Sequence, residues 1–176
     1  MTKNDLLMPR YRFKCITDIT AEDLRKMGAK AVGLDIDNTI APDGKFQYID
    51  GIREWVKEIE QAGFPITLIS NGTLIRVLPV SRYLGGTPFI HLSLKPFPHS
   101  LKKAARRMNV DISQLAMLGD QIFSDIKAAN LCGAIPVRID PLPIKSLYPH
   151  YYEWKSRREE PHIKAFEEKH GYGVYD

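Results

Sequence analysis

Short apolar runs alternate with segments of helical periodicity through the middle of the chain. Mainly apolar runs, such as residues 31–34 and 65–69, are typical of strands buried in a sheet. Between these two runs, apolar side chains recur at the spacing of one helix face, at Ile52, Trp55, Val56 and Ile59. The alternation predicts strands at about residues 31–34, 65–69, 89–92, 115–118 and 134–139, and helices at about residues 49–62, 74–84, 98–108 and 122–131.

Strands that alternate with helices of this length predict βαβ units and a parallel sheet. We therefore expect an α/β fold, a doubly wound three-layer α/β/α arrangement around a five-stranded, mostly parallel sheet. Residues 30–140 would form this core, and residues 1–29 a strap and helix packed on it. Residues 141–176 are a Pro/Tyr-rich extension followed by a charged tail. Acids and bases are similar in number there, which predicts a solvated helix face or a frayed end.

Composition excludes several classes of protein. The chain has 176 residues and a formal net charge of +4, too little positive charge for a dedicated nucleic-acid binder. Its two cysteines, Cys15 and Cys132, form no CxxC motif and are expected to be reduced thiols. No segment has the roughly 20 apolar residues of a membrane span, and the first ten residues lack the apolar run of a signal peptide. A cytoplasmic protein is expected.

The first candidate for chemistry lies at the end of the run at residues 31–34. Asp35 and Asp37 follow it one residue apart, so a strand would place both carboxylates on the same side. Two close carboxylates repel each other unless a cation lies between them. Mg²⁺ is a suitable cation because it prefers oxygen ligands. The alternative interpretation is a polar turn with side-chain to backbone hydrogen bonds.

Polar groups also follow the next three predicted strands. Ser70, Lys95 and Asp120 each come directly after or close to a strand end, and Asp125 lies five residues after Asp120. The carboxyl ends of parallel strands meet at one edge of the sheet, so these groups can converge there. Carboxylates, a hydroxyl and a lysine are what phosphoryl transfer requires. Alternatively, Ser70 caps the following helix and Asp125 lies on the surface of its own helix.

These motifs resemble those of the haloacid dehalogenase (HAD) superfamily of phosphatases. The matching segments are Asp-x-Asp-x-Thr at 35–39, Ser-Asn at 70–71, Lys-Pro at 95–96 and Gly-Asp-x-x-x-x-Asp at 119–125. Each motif alone is weak, but their order and spacing are specific, and the match covers about residues 31–139. Within the superfamily, the Asp-Asn-Thr variant and the segment before it most resemble the YqeG-type phosphatases of subfamily IIIA.

The resemblance implies a role for each matching residue. Asp35 would attack phosphorus to form an aspartyl-phosphate, and Asp37 would protonate the leaving oxygen and then activate water. Thr39 would orient Asp37 or its loop. The phosphoryl group would be held by Ser70 and the Asn71 N–H, and Lys95 would pair with both this group and Asp35. Mg²⁺ would be bound by the Asp35 and Asp120 carboxylates and the Asp37 carbonyl, with Asp125 as a ligand through water or a partner of Lys95.

The spacing of the motifs leaves no room for a cap domain between Asp37 and Ser70 or between Ser70 and Lys95. We therefore expect a Mg²⁺-dependent phosphomonoester hydrolase for a bulky or surface-bound substrate. YqeG-type relatives include phosphatidylglycerophosphate phosphatases, which makes that lipid, and peripheral contact with an anionic membrane, one option. The alternatives are a receiver-like phosphate-sensing module and a non-catalytic partner-binding protein on the same fold. The oligomeric state does not follow from the sequence.

Overall fold

The computed structural model of the protein describes residues 5–143 and 149–174. It contains one six-stranded parallel sheet whose strands lie in the order β1-β6-β5-β2-β3-β4. The strands are β1 Tyr11–Phe13, β2 Ala31–Leu34, β3 Ile66–Ile69, β4 Phe89–Ile90, β5 Leu115–Gly119 and β6 Ile135–Ile139. The α-helices are α1 Ala21–Lys26, α2 Ile52–Gln61, α3 Leu74–Tyr83, α4 His99–Arg107, α5 Lys127–Cys132 and α6 Pro149–Glu167.

Side chains alternate between two hydrophobic cores on opposite faces of the sheet. In β2, Val32 and Leu34 belong to the core that also contains buried residues of α1, α2 and α3. Ala31 belongs to the other core, together with buried residues of α4 and α5. A strand covered on both faces needs apolar residues at every position, which explains the continuous apolar runs of the sequence. The doubly wound α/β fold is confirmed.

The sheet has one strand more than the five predicted. Residues 11–13, expected to belong to a strap, form β1, which pairs in parallel with β6 in the register Tyr11↔Val137 and Phe13↔Ile139. β1 is only three residues long, and its partner lies more than a hundred residues further along the chain. A local pattern carries no information about such a pairing.

The C-terminal segment is a helix rather than a frayed tail, and most of its charged side chains are exposed, as a solvated helix face predicts, but one face of it is buried. α6 packs against the core through Lys155, Glu159 and Phe166, which are all buried. At its far end, Glu167 pairs with Arg12 of β1. The tail charges are therefore partly neutralised by groups that are distant in sequence. Of the tyrosines in this extension, Tyr148 and the side chains of Tyr151 and Tyr152 lie outside the described residues.

The predicted helix at residues 122–131 is divided into two parts. Residues Ile122–Ile126 form one π-helical turn, and α5 follows from Lys127. The backbone N–H groups of Asp125 and Ile126 both donate to the Gln121 carbonyl, at 2.8 and 3.2 Å. Turns of this kind are common at functional sites, and this one lies directly after β5.

No helix in the described part of the chain has both the length and the apolar character required to cross a bilayer.

Candidate active site

The carboxylate of Asp35 lies at the carboxyl end of β2, in the middle of the sheet. The backbone N–H of Asp35 donates to the Leu118 carbonyl of β5 at 2.9 Å, which continues the hydrogen bonds between the two strands past the end of β2. The side chain is almost fully buried. Oδ1 lies 2.7 Å from Lys95 Nζ, and Oδ2 accepts a hydrogen bond from Thr39 Oγ1 at 3.3 Å. Asp35 is thus fixed in place by a cation and a hydroxyl.

The Lys95 ammonium contacts two carboxylates that follow different strands of the sheet. Its Nζ lies 2.7 Å from Asp35 Oδ1, 2.7 Å from Asp125 Oδ1 and 2.6 Å from the Ile69 carbonyl oxygen. Burial lowers the pKa of Lys95, but the Asp125 and Asp35 carboxylates raise it by more, and the net shift is upward. Lys95 is therefore a permanent positive charge in the site.

The Asn71 side chain holds the loop that carries Lys95. Its Oδ1 accepts from Lys95 N at 2.8 Å and from Ser93 Oγ at 2.7 Å, and its Nδ2 donates to the Lys95 carbonyl at 3.1 Å. Ser70 is buried, and its Oγ accepts from Gly72 N at 3.0 Å. Both side chains thus shape the loops after β3 and β4 around the site.

Asp120 and Asp125 come from the end of β5 and the π-helical turn. Asp120 is fully buried; its Oδ2 lies 2.7 Å from Lys155 Nζ, and its Oδ1 has no hydrogen-bond partner among the described residues. Asp125 Oδ2 accepts from Gln121 N at 3.0 Å. A Cβ atom added to Gly119 would lie 2.4 Å from Asp125 Cγ, so only glycine leaves room for this carboxylate.

Asp35, Asp120 and Asp125 together offer three carboxylate oxygens that lie within 4.8 Å of one another. Burial and neighbouring negative charge raise the pKa of both Asp120 and Asp125, although Lys155 and Lys95 oppose the rise. The cluster, with buried Glu159, has four carboxylates against two ammonium groups. Excess negative charge, a free Asp120 oxygen and an all-oxygen donor set fit a hard divalent cation such as Mg²⁺.

The Asp37 carboxylate is not part of this three-acid cluster and pairs with Arg76. Arg76 Nε donates to Asp37 Oδ1 at 2.8 Å and Nη2 lies 2.7 Å from the same oxygen, while Nη1 donates to the Lys45 carbonyl. Burial and the Asp35 charge raise the pKa of Asp37 to about 6, and Arg76 limits the rise. An acid with a pKa in this range can both give and accept a proton near neutral pH.

Arg76, Lys155 and Glu159 are site residues that sequence reasoning did not identify. Arg76 lies in the first turn of α3, directly after the Ser-Asn-Gly loop, and this position at a strand end was an available signal. Lys155 and Glu159 are on α6, where Glu159 Oε1 accepts from Ile122 N at 2.9 Å. Nothing in the mixed-charge run of the tail distinguishes these two residues from their exposed neighbours.

A cavity of about 260 Å³ borders the site at Asn71 and Lys95. Asn71 and Lys95 line one part, Phe123 belongs to the turn after β5, and Trp154 and Arg158 come from α6. The chain has no inserted cap between Asp37 and Ser70, where the structure contains only α2 and β3 apart from loops. The C-terminal helix therefore supplies one wall of this cavity.

Acids at strand ends and a buried lysine on a doubly wound sheet are together typical of a class of hydrolases. Comparison with known proteins assigns the chain to such a class. The family model of the haloacid dehalogenase-like hydrolases matches residues 17–133, and the chain belongs to this family. The predicted resemblance to HAD phosphatases of the YqeG type is confirmed, and the chain is a hydrolase of the phosphoric-monoester kind.

Among relatives, "Probable phosphatase YqeG" of Bacillus subtilis (strain 168) is 29% identical over 135 residues, 77% of this chain and 78% of that protein. A glyceraldehyde 3-phosphate phosphatase of Methanopyrus kandleri is 27% identical over 108 residues, 55% of this chain and 46% of its own. The cobalt-bound deoxy-D-mannose-octulosonate 8-phosphate phosphatase of Haemophilus influenzae has a TM-score of 0.51 at 14% identity, covering 81% of this chain and 92% of its own. That last likeness concerns the fold alone.

Proposed function

We propose that the protein is a Mg²⁺-dependent phosphomonoester hydrolase that acts through a phosphoryl group carried on Asp35. The observation that supports this most is that the Asp35 carboxylate contacts the Lys95 ammonium and at the same time belongs to the three-acid cluster. Asp35 can approach a phosphoryl group that is itself negatively charged because Lys95, and a divalent cation if one is bound to the acids, would compensate the charge. Family membership favours the same chemistry.

In the first step, an Asp35 oxygen attacks phosphorus and the bond between phosphorus and the ester oxygen breaks. Asp37 gives its proton to that leaving oxygen, and the product alcohol departs. In the second step, Asp37 takes a proton from water, whose oxygen attacks phosphorus and releases Asp35 and inorganic phosphate. The raised pKa of Asp37 suits this exchange of roles. Lys95 compensates charge on Asp35 and on the phosphoryl oxygens in both steps.

The carboxylates of Asp35, Asp120 and Asp125 are the groups that would hold Mg²⁺. When bound there, the ion neutralises phosphoryl charge and aligns the group for in-line attack. Thr39 contacts Asp35 rather than Asp37, so we assign it the role of fixing the nucleophile. Ser70 and the Asn71 N–H remain candidates for phosphoryl binding, while the Asn71 side chain keeps Lys95 in place.

The lack of an inserted cap favours a bulky or surface-bound phosphomonoester, and phosphatidylglycerophosphate is one such substrate. In that case the protein would act peripherally at an anionic membrane. Its two free cysteines suit the cytoplasm. Co-sedimentation with anionic vesicles tests this part of the proposal, and no binding at low salt would reject the membrane.

The test of the activity is phosphate release from p-nitrophenyl phosphate by the wild type and by Asp35→Asn, with Mg²⁺ and with EDTA. We expect turnover only in the wild type with Mg²⁺. Thr67→Val is a matched control, since Thr67 is buried in β3 but its hydroxyl faces Met108 rather than the acids. Turnover by Asp35→Asn at the wild-type rate would reject the mechanism. A stable phosphoprotein without turnover would favour the receiver-like alternative.

A further inference from the structure

Arg158 of α6 is a charged group in the wall of the active-site cavity that the proposed reaction does not use. Its guanidinium carbon lies 4.7 Å from the centroid of the Phe123 ring and 4.7 Å from that of the Trp154 ring. Phe123 is in turn held edge-on against His162, with ring centroids 5.7 Å apart. Aromatic faces attract a guanidinium and restrict its orientation. Arg158 is thus a positioned cation.

In the described part of the chain, no carboxylate lies within 4.0 Å of the Arg158 guanidinium. Its positive charge is therefore not compensated there by an ion pair. The two acids that follow it are engaged elsewhere. Glu159 accepts from Ile122 N, and Glu160 pairs with Lys164. A planar guanidinium with free donors is suited to bidentate contact with a phosphate or carboxylate.

Arg158 and Lys95 line the same cavity. Its volume of about 260 Å³ corresponds to roughly nine waters at about 30 Å³ each, enough for a phosphoryl group and a second small group. Lys95 is the cation on the side of the nucleophile Asp35, and Arg158 is on the side of α6. A substrate in this cavity whose phosphoryl group contacts Lys95 would therefore have α6 beside the rest of the molecule.

We propose that Arg158, held by Phe123 and Trp154, is a subsite for a second anionic group on the leaving group of the substrate. The preferred substrates are then phosphomonoesters that carry another phosphate, a phosphodiester or a carboxylate close to the scissile ester. This inference rests on the proposed phosphatase function and specifies its substrate class. It also gives α6 a role, since the helix brings the specificity residue to a site that has no inserted cap.

The kinetic test compares kcat/KM for glycerol 1-phosphate, glycerol 1,3-bisphosphate and 3-phosphoglycerate. Arg158→Gln should lower the preference of the enzyme for the two substrates with a second anion by about 10- to 100-fold, the effect of one charge-assisted contact. The matched control is Arg157→Gln, because Arg157 is exposed like Arg158 and lies on the same helix but lines a different cavity. Glycerol 1,3-bisphosphate and 3-phosphoglycerate distinguish a phosphate-selective from a carboxylate-selective subsite.

Absence of any preference in the wild type, or a preference that Arg158→Gln retains, would overturn the proposal. An equal loss in Arg157→Gln would do so as well, because it would indicate a general electrostatic effect of the helix. Circular dichroism of each variant verifies that α6 remains folded, and Arg158→Lys separates charge from fork geometry. Partial recovery by lysine is expected.

A binding measurement tests the subsite without depending on turnover. Calorimetric titration of the Asp35→Asn protein with the same three compounds, in Mg²⁺, should give tighter binding of the two compounds that carry a second anionic group. Arg158→Gln should remove that difference. If the wild type shows no turnover but the binding difference persists, only the hydrolase function fails. If the difference is absent, the subsite is rejected.

Discussion

Lys155 should be the residue that fixes α6 to the catalytic edge of the sheet. Its Nζ lies 2.7 Å from Asp120 Oδ2, and the two side chains are 9% and 0% exposed. Burial lowers the pKa of Lys155, but Asp120 and Glu159 raise it by more, so the pair is ionic at neutral pH. Lys155→Met keeps the length of the side chain and removes its charge.

The expected loss follows from the burial of this pair. Removal of one partner from a buried ion pair costs about 3–5 kcal/mol, since the other charge remains buried without compensation. For a chain of this length, 1 kcal/mol corresponds to about 2–4 °C, so the Tm of Lys155→Met in EDTA should fall by roughly 6–20 °C. Mg²⁺ should reduce the loss, because a cation bound to Asp120 replaces the missing ammonium charge.

Thermal unfolding of the wild type and Lys155→Met, in EDTA and in Mg²⁺, provides the assay. Lys164→Met is the matched control, since Lys164 forms an exposed ion pair with Glu160 on the same helix. It should leave the Tm almost unchanged. The double variant Lys155→Met/Asp120→Asn should be more stable than Lys155→Met, because no unpaired charge is left. Equal Tm values for Lys155→Met and Lys164→Met would refute the reasoning.

Two further substitutions examine other parts of the site. Arg76→Gln removes a cation that opposes the effect of burial, so the pKa of Asp37 should rise above about 6. The protonated acid then persists to higher pH, and the alkaline limb of kcat/KM should shift upward; an unchanged pH profile would contradict this. Gly119→Ala places a methyl group against Asp125, which should cost about 1–3 kcal/mol and most of the activity. Gly171→Ala, which meets nothing within 4 Å, should behave as wild type in both assays, and normal activity of Gly119→Ala would count against the assigned role of Asp125.

The central part of the fold was predictable because its signals are local. The run at residues 66–69 forms β3, and the four apolar residues of the helix predicted at residues 49–62 are buried in α2. Because both faces of the sheet are covered, its strands appear in the sequence as continuous apolar runs. These runs differ from the regularly spaced apolar residues of the helices. The positions of Asp35 and Asp120 at strand ends, and of Lys95 in the loop after β4, followed from the same pattern, since parallel strands bring their carboxyl ends together.

The parts that could not be predicted depend on partners far away in the chain. Lys155 and Asp120 are 35 residues apart, and Glu159 and Ile122 are 37 apart. In the sequence, Lys155 and Glu159 resemble the charged residues of an exposed helix. Their burial depends on specific partners that compensate the charge, and these partners are distant in the chain. The Arg76 contact with Asp37 spans 39 residues and likewise depends on tertiary structure.

The central claim is that Asp35 carries the phosphoryl group, and chemical trapping tests it most directly. Borohydride reduces an acyl phosphate, so an enzyme quenched with borohydride during turnover should contain homoserine at position 35, identified by peptide mass spectrometry. We predict this conversion only when a phosphomonoester and Mg²⁺ are both present, and not in Asp35→Asn. Turnover without any reduced aspartate, or homoserine at Asp37 instead of Asp35, would contradict the account.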